Sequence, residues 1–318
     1  MVTRYPCKVK WSVLDYTIGM NAVIDCQKLS KRYRGTDFFA LKDLDLKVEA
    51  GEVYGFIGPN GAGKSTAIRT LMNFIQPTEG TATILGKDIV NDSVELKRHV
   101  GYLSGDVALY KKTTGRELLD YLFKLQGATD PAYRHKLEKR FHADLDKPTG
   151  SLSKGNRQKI GILQAFMHQP EVLILDEPTS GLDPLMQEAF YDTMSEARRR
   201  GAALLISSHN LAEAQRISDR VGIIKQGRLI HEQAISGNTG LGKPVFRLVL
   251  GSIGEVAKLK KAPHLKFLSK EGDVTVLVQA TGKLPSALQS IAGFDVRELT
   301  TQQLNLEDEF LEFYGSAT

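Results

Sequence analysis

The chain has two cysteines, one tryptophan and no apolar run of membrane-spanning length. Cys7 and Cys26 are too few and too near the start to staple a fold or hold zinc, which fits a reducing compartment. The longest stretches without Asp, Glu, Lys or Arg, such as Val53 to Gly63 and Ile160 to Pro170, fall well short of the roughly 20 apolar residues that cross a bilayer. Arg4, Lys8 and Lys10 precede no continuous apolar block, which argues against a secretory signal, and Met20 stands as an alternative start just ahead of the patterned sequence. Charge of one sign is scarce too. Across 318 residues, 42 Lys and Arg face 37 Asp and Glu, and the net +5 is spread so thinly that no phosphate backbone is announced as partner. With 42% hydrophobic and 25% charged residues, the chain is neither disordered, collagen-like nor coiled-coil. At about 150 residues per domain, the length predicts two domains.

What is present is alternation. Short apolar runs at 53–57, 100–103, 172–175, 203–207 and 221–224 read as strands, with amphipathic helices at 64–74 and 158–167 between them. Strands alternating with helices predict a mostly parallel sheet covered on both faces. Residues 236–244 turn rich in Gly, Ser and Asn and read as a linker. Beyond it, strands at 245–250, 265–269, 274–279 and 294–299 and helices at 255–262, 285–292 and 306–314 give the order βαββαβα, with Lys270-Glu271-Gly272-Asp273 as a hairpin turn. The expected organisation is an extension at 1–19, a main domain at 20–235, the linker, and a small α+β domain at 245–318.

Gly58-Pro59-Asn60-Gly61-Ala62-Gly63-Lys64-Ser65-Thr66 follows an apolar strand and opens an amphipathic helix, the context of a P-loop. Its glycines let successive N–H groups turn toward one anion, and the helix N-terminus adds partial positive charge. Lys64 is expected to bridge the β- and γ-phosphates of ATP and Ser65 to sit on Mg²⁺. The strand at 172–175 ends in Asp176 and Glu177, placing Asp176 beside the metal and Glu177 where it can polarise the attacking water.

Leu152-Ser153-Lys154-Gly155-Asn156 resembles the LSGGQ signature of ABC ATPases, and the order of motifs matches that family over residues 23 to about 235. The resemblance implies an α/β fold of the P-loop NTPase type: a mostly parallel sheet, a small antiparallel β region and a helical subdomain. It makes Ser180-Gly181-Leu182-Asp183 the D-loop, His209 the switch histidine at the γ-phosphate, and Tyr33 the ring that stacks on adenine. It also implies that Ser153, Gly155 and Asn156 meet the ATP of a second copy, so that two chains close head to tail around two nucleotides, with ATP as glue and hydrolysis as release. Two departures stand out. Gly105-Asp106 occupies the place of the family's glutamine, none occurring between Gln76 and Gln126, and Lys154 replaces the first signature glycine.

The C-terminal run Asn305 to Glu312 resembles the accessory region of ATPases that drive separate-chain exporter permeases; Leu306, Phe310, Leu311 and Tyr314 also make a plain amphipathic helix. That resemblance implies a transmembrane permease docked near Tyr102 to Tyr110, with Val107, Leu109 and Tyr110 as candidate contacts. The chain is then peripheral on the cytoplasmic face of the membrane. The rival is a soluble ABC ATPase acting on ribosomes or nucleic acid. A single cassette, and no room for a coiled coil between Thr66 and Leu152, weigh against it. Arg198-Arg199-Arg200 before Gly201 reads as a helix C-terminus complementing the dipole. A catalytically silent module is disfavoured by intact Lys64, Asp176, Glu177 and His209.

Overall fold

The computed structural model describes residues 22–235, 245–260, 262–281 and 284–302. The expected extension at 1–19, the linker at 236–244 and the helix at 306–314 lie outside them. Among the described residues, no helix is long and apolar enough to cross a membrane.

The elements run β1 (Ile24–Arg32), β2 (Phe39–Val48), β3 (Val53–Ile57), α1 (Lys64–Leu71), β4 (Glu79–Ile84), β5 (Lys87–Asp88), α2 (Ser93–Leu96), β6 (Val100–Leu103), α3 (Gly115–Leu125) and α4 (Pro131–Phe141). They continue as α5 (Lys154–Phe166), β7 (Val172–Asp176), α6 (Pro184–Arg199), β8 (Ala203–Ser208), α7 (Leu211–Ile217), β9 (Arg220–Lys225) and β10 (Arg228–Ala234). Then follow β11 (Val245–Leu250), α8 (Ile253–Leu259), β12 (Leu265–Lys270), β13 (Thr275–Ala280), α9 (Leu284–Ala292) and β14 (Val296–Gln302).

A six-stranded sheet has the order β10-β9-β3-β8-β7-β6, with β6, β7 and β8 parallel. Every residue of β3 and β7 is buried, as strands covered on both faces require. A second, antiparallel sheet, β2-β1-β4-β5, is the small β region. The helical segment is α3, opened by a Thr114/Glu117 capping box, and α4, opened by Asp130 with Pro131 in the first turn. Arg140 and Lys136 of α4 bond Glu196 of α6 at 2.7 and 2.9 Å and hold its carboxyl down to about 2.

The contacts divide the chain into two compact units, one of 22–54, 58–207 and 224–230, the other of 55–57, 208–223 and the chain from 231 on. Within the second, β11–β14 form an antiparallel sheet in the order β12-β13-β11-β14. Phe246, Leu248 and Leu250 of β11 and Val276, Val278 and Ala280 of β13 point at period two into one core with Val256, Leu259, Ala287 and Ile291 of α8 and α9. The expected order is found as far as β14, with the hairpin between β12 and β13.

Some boundaries moved. α1 stops at Leu71 rather than 74 because Asn73 takes a left-handed φ of 49°. The helix expected at 158–167 starts already at Lys154, since the Ser153 hydroxyl accepts the Asn156 N–H at 3.2 Å and caps the helix there.

Candidate active site: a phosphate loop facing two carboxylates

β3 delivers the chain into the loop from Gly58 to Gly63, and Gly63, at φ 112°, turns it into α1. The loop is braced from behind: Gly227 N–H donates to the Ala62 carbonyl at 2.8 Å, and Lys42 N–H donates to the Gly227 carbonyl at 2.8 Å. With β7 and the segment after β6, the loop lines a cleft of about 810 Å³. Pro59, Asn60, Gly61, Gly63, Lys64, Ser65, Thr66, Asp176 and Glu177 all face it; Gly58 and Ala62 support the loop from within.

Lys64 is nearly buried, and its ammonium donates to the carbonyls of Gly58 and Pro59 at 2.5 and 3.3 Å. It also lies 3.6 Å from a Glu177 carboxylate oxygen. The Ser65 hydroxyl donates to Asp176 Oδ2 at 2.9 Å, and the Ser207 hydroxyl donates to Asp176 Oδ1. Carboxylate and hydroxyl oxygens this close make a hard donor pair, the kind a small divalent cation shares with phosphate oxygens. Glu177 has a left-handed φ of 48°, a costly conformation for a side-chain-bearing residue. Its N–H is held by the carbonyl and hydroxyl of Ser207 at 3.2 and 3.1 Å, so the end of β8 fixes where this carboxylate starts.

Gly105 passes close to Asp176: a Cβ added there would stand 3.4 Å from Asp176 Oδ2. Asp106 beside it is exposed and lines the cleft. Tyr102 also lines it, edge-on to Phe74 at 5.2 Å; burial first, then the Asp176 charge, raises its phenol above the usual value.

The remaining expected residues stand elsewhere. Ser153, Gly155, Asn156 and Asp183 are not among the residues lining this cleft. Ser153 caps α5 and Asp183 caps α6, accepting the Met186 N–H at 3.0 Å. The Asn156 side chain holds Asp144 through both its N–H and its carbonyl, at 2.9 and 3.0 Å. His209 is exposed, one residue beyond β8. Tyr33 is half-exposed under the Lys31 ammonium at 5.7 Å, and the lining at that end is Phe38, Phe39 and Ala40. Phe39 has Arg32 and Lys42 over its ring, at 5.6 and 5.4 Å. Of the candidate docking residues, Val107 is buried, Leu109 half-buried and Tyr110 exposed.

Phe38, Arg69, Gln226 and Gly227 line the cleft without having been singled out in the sequence. The Gln226-Gly227 turn, at φ 50° and 78°, carried a signal as a polar-Gly pair between two apolar runs. The others carry none outside the fold.

A family model described as ABC transporter matches residues 41–180. An ABC transporter ATP-binding protein of Bacillus subtilis (strain 168), YhcH, is 31% identical over 93% of this chain and 97% of its own length. The bacitracin transport ATP-binding protein BcrA of Bacillus licheniformis is 32% identical over 94% of this chain and 99% of its own. Among solved structures, an ATP-binding subunit of an ABC transporter superposes with a TM-score of 0.63 at 31% identity, covering 67% of this chain and 90% of that one. Likeness that runs nearly end to end gives the family: this chain belongs to the ABC transporter ATP-binding proteins and is an ATPase.

Proposed function

We propose that this ATPase drives a permease carried on a separate chain, in the direction of export, by closing head to tail with a second copy of itself around two ATP molecules with Mg²⁺. In this reading residues 20–235 are the cassette, 245–318 the accessory domain, 236–244 the linker between them and 1–19 an extension. The chain sits on the cytoplasmic face of the membrane through its permease, with Tyr110 at the docking groove. The likeness to a bacitracin transport protein supports a role in transport.

One observation carries the pairing. The signature turn at Ser153 and Gly155 is absent from the residues lining the cleft of its own chain, so a helix N-terminus suited to an anion serves a phosphate only if another copy brings one. Ser65 and Asp176 would hold Mg²⁺, which supplies positive charge to the β- and γ-phosphates. Lys64 binds the same oxygens, Glu177 accepts the proton of the attacking water, and His209 and the signature turn close over the γ-phosphate. Asp183 belongs to the facing edge.

The test is ATPase rate against enzyme concentration. A site completed by a second copy gives a rise steeper than linear below the pairing constant and linear above it; strict proportionality throughout would remove the composite site. Adenine is carried by Tyr33. Replacing it by alanine removes a stacked pair worth about 0.5–1.5 kcal/mol, so KM for ATP rises about 2- to 13-fold at constant kcat. An unchanged KM, with Phe38→Ala raising it instead, would move the adenine to Phe38.

A further inference from the structure

The signature turn and the loop after Glu177 meet at three places. Gln158 Nε2 donates to the Pro178 carbonyl at 2.8 Å. Gly155 lies so near Gly181 that an added Cβ would come within 2.8 Å of the Gly181 carbonyl oxygen. Lys154 Nζ donates to Ser180 Oγ at 3.1 Å, and its methylenes run along Gly181, where an added Cβ would meet them at 3.6–3.7 Å. The first two contacts would survive a glycine at 154. The third exists only because a lysine stands where the signature otherwise has its first glycine.

We propose that Lys154 is a positioning residue that fastens the 177–181 loop to the signature turn, so that both parts of the edge offered to the second copy arrive in register. This rests on the composite site proposed above. The fastening matters at Gly181, which has a φ of 79° and no side chain to anchor it. Unfastened, the turn samples conformations that pairing must then remove. An exposed hydrogen bond to an ammonium is a modest tether, but a symmetric pair contains it twice. A threefold effect per contact becomes about tenfold in the pairing constant.

The experiment uses the full chain carrying Glu177→Gln, with ATP-induced pairing followed by sedimentation. The expected result is that Lys154→Met raises the protein concentration needed for pairing about tenfold, while ATP affinity of the unpaired chain and Tm stay put. Lys154→Arg recovers the parental value. Ser180→Ala copies Lys154→Met, and the double variant is no worse than either single one, since both remove the same bond. A parent that pairs, with Lys154→Met pairing just as tightly or with the two single effects multiplying, overturns the fastening alone. A parent that stays unpaired at saturating ATP overturns the composite site and the fastening together.

Discussion

Glu177→Gln binds ATP as the parent does and hydrolyses it about 10²–10⁴-fold more slowly, the usual loss when a positioned general base is removed. The substitution keeps shape and hydrogen-bonding reach but leaves an amide that cannot take a proton from water. The loss should fall on kcat with little change in KM, because a base acts in the transition state rather than in substrate binding. Backbone geometry should persist, since the φ of 48° at position 177 is held by Ser207 rather than by the carboxylate. Single-turnover hydrolysis and ATP retention measure the two halves separately. A variant with full single-turnover speed would take the base role away from Glu177. A variant that no longer retains ATP would show that the carboxylate holds the loop, through Lys64 at 3.6 Å, rather than the proton.

Gly63→Ala should cripple the same enzyme from the opposite side. An added Cβ would stand 2.7 Å from the Ala40 carbonyl oxygen and 3.1 Å from Gly227 Cα, both backbone atoms that cannot swing aside, at a φ of 112° that side chains rarely adopt. Strain and overpacking each cost about 1–3 kcal/mol, so about 3 kcal/mol is expected in all, a fall of about 6–12 °C in Tm. The Gly227 brace moves with it, and with the brace goes the alignment of N–H groups toward phosphate, so ATP affinity drops too. Gly61→Ala is the informative control. It has φ 81° but open space around it, so only the backbone part remains, about 1–2 kcal/mol. Equal melting temperatures for the two variants would show that Gly63 is needed for its dihedral alone.

How legible the molecule was in its sequence depended on how local each signal is. The strands at β3, β6, β7, β8 and β9 were found within a residue or two because each is a continuous apolar run closed by turn residues. β1 shows no such run: Lys28 takes a left-handed φ of 48° and the pairing with β2 slips register three times, so the two-residue period that marks a strand is broken. β4 begins with three exposed residues and hides only its second half. At the site, the phosphate loop and the carboxylate pair are contiguous and were read directly, whereas Phe38 and Gln226 reach the cleft only because segments distant in sequence fold beside it. Asn156 shows another kind of non-local information. It occupies a signature position, yet its side chain is spent on the Asp144 backbone, a commitment that pattern matching cannot see.

The ion pair between Lys64 and Glu177 ties the two proposed roles to each other. The cation proposed to hold phosphate and the carboxylate proposed to take the proton of water lie 3.6 Å apart. In the proposed cycle the γ-phosphate must draw the ammonium toward itself, and drawing it away unmasks the carboxylate beside the very oxygen-rich group to be cleaved. In that cycle loading and arming would be a single event.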